Sequence, residues 1–197
     1  MFFINQLEYP HIQYRTNVKR EGYTPEMMKS SINASGCGLC CSCMAVDILT
    51  DKSLSLEDAV KLSEECGANL GPGTSMPILA PVLAQRFGLD CSTSLDPREV
   101  VEHLRRGGVA IALVGVPEGE KIGLFSEEGH YILLVSTDGK QFCILDPYYK
   151  EDKFDIPERA GKVNFENKPF IYCDVDILHS QTHRPTVKYF LLSRAKK

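Results

Sequence analysis

The chain has 197 residues, of which 43% are hydrophobic and 24% charged, with a formal net charge of −4. That balance suits one globular domain over 1–197 with its own core, and it offers no nucleic-acid-binding surface, the basic run Arg194-Ala195-Lys196-Lys197 being too short for one. No apolar run approaches the ~20 residues of a membrane-spanning helix, and the start Met1-Phe2-Phe3-Ile4-Asn5-Gln6 lacks the basic flank of a secretory leader, so no membrane span and a cytoplasmic location are expected.

Residues 1–35 mix aromatic and polar side chains without period and read as irregular or extended. Residues 36–50 read as a helix, with Leu39, Cys43, Val46 and Leu49 on one stripe. A second helix spans 55–66, where Ser55 followed by Asp58 makes a capping pattern. The turn Gly71-Pro72-Gly73 separates it from a third helix at Met76–Phe87, which Gly88 stops. Asp96-Pro97-Arg98-Glu99 opens a fourth helix with an N-cap, a proline at the first helical position and an acidic first turn.

After Gly107-Gly108 the pattern changes to strands. Val109–Val114 is a continuous apolar run. Tyr131–Ser136 and Gln141–Leu145 flank Asp138-Gly139, a hairpin signal. Residues 148–168 read as an exposed, charged insertion, and Phe170–Val175 and Val187–Leu192 complete the strands. The expected class is α+β, with N-terminal helices (about 30–106) packed against a C-terminal antiparallel sheet (about 108–197). His103 is expected to be solvated, His179 and His183 to lie in a loop, and Glu118-Gly119-Glu120-Lys121 to form part of a cleft rim.

Three segments carry chemistry. Ser35-Gly36-Cys37-Gly38 puts a thiol in the first turn of a helix, where unpaired N–H groups and a partial positive charge favour its thiolate. The flanking glycines are expected to keep access open. Gly129-His130-Tyr131 puts an imidazole at the mouth of a strand, and Leu145-Asp146-Pro147 puts a carboxylate at the end of the next. Pairing about a tight Asp138-Gly139 turn sets His130 opposite position 147, one residue from Asp146. Singly, each has a structural explanation: a small buried cysteine, a core histidine, a turn-forming Asp-Pro pair. In register, they form a thiol nucleophile, an imidazole base and an acidic orienter.

These same residues resemble the papain-like cysteine peptidases, and within them the bacteriocin-processing (double-glycine leader) peptidases and their stand-alone bacterial relatives. The resemblance covers roughly residues 10–150 and departs from the family pattern at Leu39, where proline is usual, and at Cys40, Cys41 and Cys43. It implies a papain-like fold and a thiol-dependent hydrolase that cleaves a peptide or protein substrate through a thioester. Cys37 would be the nucleophile, His130 the general base and Asp146 its orienter. Gln13 would be the oxyanion-hole donor, with Gln6 as the alternative. No cofactor and no metal are implied, and no oligomeric state follows.

Other readings compete. Cys37, Cys40 and Cys43 have the spacing of zinc ligands but lie in one helix, and no second Cys-x-x-Cys completes a tetrahedron. Cys37-Gly38-Leu39-Cys40 matches a thioredoxin-like motif but lacks the preceding strand. With eight cysteines in a chain this size, no disulfide framework is needed. A non-catalytic peptide-binding domain, or an acyl or amide transferase using Cys37, would keep the same three residues.

Overall fold

A computed structural model describes residues 3–16, 31–70, 73–182 and 188–195. The expectations that fall on Met1, Phe2, Gly71, Pro72, His183, Val187, Lys196 and Lys197 lie outside the described residues.

The architecture is mixed α+β. Seven strands form one antiparallel sheet in the order β1-β7-β2-β3-β4-β6-β5. They are β1 (Leu89–Ser94), β2 (Val109–Val114), β3 (His130–Thr137), β4 (Gln141–Leu145), β5 (Val163–Asn164), β6 (Phe170–Asp174) and β7 (Tyr189–Arg194). The helices are α1 (Ile32–Ser35), α2 (Cys37–Leu49), α3 (Leu56–Glu65), α4 (Met76–Phe87), α5 (Pro97–Arg105) and α6 (Val175–Ser180), and a 3₁₀ turn covers Gln6–Glu8. Among the described residues no helix is long and apolar enough to cross a membrane.

Alternation along the strands builds a core on each face of the sheet. Val109, Ile111, Leu133 and Leu192 pack against α1–α4. Ala110, Ala112, Ile132 and Leu134 face the other way, toward α5, α6 and Phe154. Helices therefore cover both faces, and the halves are less segregated than expected. β1 lies inside the helical part, and α6 begins at Val175, where a strand was expected to end. β1 escapes the periodicity because it is an edge strand with several exposed positions (Leu-Asp-Cys-Ser-Thr-Ser).

The predicted caps hold. Ser55 Oγ accepts from the Asp58 N–H, and Asp96 accepts from the Arg98 N–H. Gly88 sits at φ 68°, a left-handed helix stop. The histidines differ from expectation. His103 is partly buried, with Nε2 2.9 Å from the Leu192 carbonyl oxygen. His179 lies in α6 and stacks on Tyr189.

Two local features set the geometry of the cleft. α2 is buried on nearly all sides rather than along one stripe, as its run of small residues permits: Gly38, Cys40, Cys41, Ser42 and Ala45 let it settle onto β3 and β2. Ser42, wholly buried, donates to the Gly38 carbonyl. The glycines flanking Cys37 make room for close packing. A Cβ on Gly36 would lie 2.7 Å from the Ile32 oxygen, and one on Gly38 would lie 2.9 Å from Thr74 Cβ. Ala at either position forces the helix start to move. Gly38→Ala is expected to lower stability by about 1–3 kcal/mol, read from urea unfolding with the slope unchanged.

Candidate active site

The hairpin of β3 and β4 brings His130 and Asp146 together, though not in the tight-turn register. That register would pair Leu133 with Ile144, whereas Leu133 faces Leu145. The Asp138 carboxylate accepts from the N–H groups of both Lys140 and Gln141, which widens the turn. A bulge between Leu134 and Ser136 then recovers one position.

His130 Nε2 donates to Asp146 Oδ1 at 2.7 Å. The other ring nitrogen, Nδ1, is left for Cys37, whose thiol interacts with the imidazole strongly enough to shift its ionisation. Cys37 opens α2, and its cap Gly36 supplies no side-chain acceptor to the first-turn amides. The structure thus converges the three residues: a half-buried cysteine, a buried imidazole and a wholly buried carboxylate. The ring of Tyr148 stands edge-on to His130, with centroids 6.3 Å apart.

Gln13 is not brought to this group. It is exposed and bridges Ser31. Gln6 is there instead. It is buried and lines the same cavity as Cys37 and His130, and its Nε2 donates to the Asn33 carbonyl at 2.8 Å while its Oε1 has no partner. The Gln6 N–H donates to the Pro147 carbonyl, which fastens the N-terminal segment to the residue beside Asp146. Both glutamines stand among polar and aromatic residues without period, so spacing could not separate them.

Sequence reasoning missed Lys153. It lies in the segment expected to be an exposed insertion, yet Lys153, Phe154 and Arg159 are all buried. Lys153 Nζ donates to Asp146 Oδ2 and to the Tyr148 carbonyl. Asp146 Oδ1 also accepts from the Tyr148 N–H at 2.9 Å. A cavity of about 560 Å³ is lined by Cys37 and His130 together with Ser35, Thr74, Phe125 and Tyr148. Its rim is Phe125–Gly129 rather than 118–121. The rim is held by Gln181 Oε1, which accepts from the Leu124 N–H, and by Arg159, which donates to the Gly123 carbonyl.

Electrostatics follow this wiring. Burial pushes Cys37 up, but the His130 hydrogen bond and charge, with the Tyr131 and Gly38 amides, outweigh it and lower its pKa. Burial pulls His130 down, yet Asp146 and Cys37 raise it to about 9. Burial opposes ionisation of Asp146, and Lys153 and then His130 overcome that to hold it well below the usual carboxylate range. Cys40 and Cys41, facing the core, are pushed well above the ordinary thiol value, first by burial. All eight cysteines are free thiols. Among the described residues no group of His, Cys, Asp and Glu side chains converges as a metal site.

No model of a known protein family matches the chain, and no curated protein matches it.

His130 has a raised folded pKa, so its contribution to stability is complete below its unfolded value of ~6.5 and is lost as pH rises through about 9. The stability gap between the native protein and His130→Gln is expected to narrow across that window, as measured by urea unfolding at stepped pH. Ring nitrogen NMR should show His130 titrating near 9.

Proposed function

We propose that the protein is a cysteine peptidase of papain-like fold, hydrolysing a peptide or amide bond through Cys37, His130 and Asp146. The observation that carries this reading is the convergence of Cys37 and His130 on one cleft, with His130 hydrogen-bonded to the buried Asp146 behind it. Among the chain's cysteines Cys37 pairs partial exposure with a lowered pKa, whereas Cys40, Cys41, Cys43, Cys91, Cys143 and Cys173 are raised, each first by burial.

In this mechanism the Cys37 thiolate attacks the scissile carbonyl carbon, and the carbonyl π electrons move to oxygen. The Cys37 N–H and the Gln6 side-chain amide stabilise that oxyanion. Gln6 suits the role because its Nε2 carries two N–H groups and Asn33 takes one. His130 gives its proton to the leaving amine as the C–N bond breaks, leaving a thioester on Cys37. It then takes a proton from water, whose oxygen attacks the thioester, and the thiolate leaves. Asp146 holds Nε2 throughout, which keeps Nδ1 toward the sulfur.

Iodoacetamide at pH 6, followed by peptide mapping, is expected to modify Cys37 ahead of the other seven cysteines. Incubation with a mixed peptide library should generate new termini, read by mass spectrometry, and Cys37→Ala should abolish them. Gln6→Ala is expected to lower kcat by about 10²–10³-fold, and Gln13→Ala to leave it unchanged. Cleavage that persists in Cys37→Ala would sink the assignment. A reactive Cys37 without new termini would instead favour a transferase or a peptide-binding role.

A further inference from the structure

We propose that Lys153 is a positioning residue of this site: its ammonium holds Asp146 Oδ2, so that Oδ1 faces His130, and it completes an alternating run of four charges. The inference rests on the cysteine-peptidase reading and adds to it a residue outside the triad.

The geometry is specific. A carboxylate can rotate and present either oxygen to a single partner. Here Lys153 Nζ takes Oδ2, and His130 Nε2 with the Tyr148 N–H takes Oδ1, so neither oxygen is left to exchange. Lys153 is itself fixed. Its Nζ donates to the Tyr148 carbonyl and lies 5.4–5.9 Å from the ring centroids of Tyr148, Phe125 and Phe154. Its own carbonyl accepts from Arg159 Nη1, which ties the lysine to the residue that braces the cleft rim.

The charge argument is independent of the rotation argument. With Cys37 ionised, the run is thiolate, imidazolium, carboxylate, ammonium, and its sum is zero. Without the ammonium the ionised site carries one net negative charge in a buried setting, which favours taking up a proton. Removing a positive charge raises the proton affinity of both Cys37 and His130. The other groups facing the run are Cys40 and Cys41 on the core side, Tyr148 beside it, and Glu127, Glu128, Tyr131, Lys150 and Arg159 on the cleft. None of them changes in the variants below.

The test measures the rate of Cys37 alkylation by iodoacetamide against pH, which needs no substrate. The variants are Lys153→Met, Lys153→Gln and Lys153→Arg, each checked for folding by circular dichroism. The two neutral variants should move the midpoint of the acidic limb up by about one pH unit. Lys153→Arg, which keeps the charge, should stay near the native midpoint. The glutamine variant carries the test if the methionine variant does not fold. Neutral variants that fold and keep the native midpoint would overturn the proposal and leave Lys153 a packing residue. A shift in Lys153→Arg equal to theirs would overturn it as well. The native protein separates this from the underlying reading. If its Cys37 reacted at pH 6 no faster than a free thiol, the peptidase reading would fail whatever Lys153 does.

Discussion

A carboxylate with no exposed surface, Asp146, is the constraint around which the site is organised. An unpaired ionised carboxylate cannot be buried at that depth, so the chain has to bring donors to it. The donors come from separate places: His130 from the start of β3, the Tyr148 amide from the turn after β4, and Lys153 from the segment beyond. The imidazole that satisfies one oxygen is thereby aimed at Cys37. The same interaction that solves a desolvation problem also fixes the ring that meets the thiol.

The thiol arrives from the opposite side of the core by a different device. α2 lies close on the sheet because its side chains are small, and its first turn approaches Ile32 and Thr74 so closely that glycine is required on both sides of Cys37. Cys40 and Cys41 belong to this packing solution. Their spacing from Cys37 looks like a ligand set in the sequence, but in space they point into the core while Cys37 faces the cleft. Residues three and four apart share a helix face, but Cys37 stands at the first turn beside the cleft, and Cys40 and Cys41 lie one turn further along, where that face is covered by the core.

The features legible in the sequence were those that depend on local chemistry. Helix caps at Ser55 and Asp96, the stop at Gly88 and the apolar strands follow from side chains within a few residues of one another. The hairpin put His130 near Asp146 although its register was off by one, because a polar turn side chain widened the loop and a bulge compensated. What stayed hidden depends on distant pairing. β1 is an edge strand whose half-polar pattern has meaning only beside β7. Lys153 sits among charged residues that read as solvated, and nothing within its own segment reveals that a buried carboxylate seven positions earlier needs it. Gln6 and Gln13 are alike locally, and the contact of Gln6 with Asn33 and Pro147 decides which of them lines the cleft.

Burial rises steadily along the run of charges. Cys37 is partly exposed, His130 is 6% exposed, and Asp146 is wholly enclosed, with the Lys153 side chain closing the far end. Cys37 lines the open cleft, while the hydrogen bonds behind it are closed off from water. Fields between the inner groups are weakly screened, so the orientation of the carboxylate is transmitted to the imidazole at close to full strength. The outermost group lines the cleft, where on the proposed peptidase reading a substrate carbonyl would enter. An exposed triad would lose that coupling to water, and a fully enclosed one would admit no substrate. On the proposed peptidase reading, Cys37 at the first turn of a buried helix, lining the cleft, would meet both requirements.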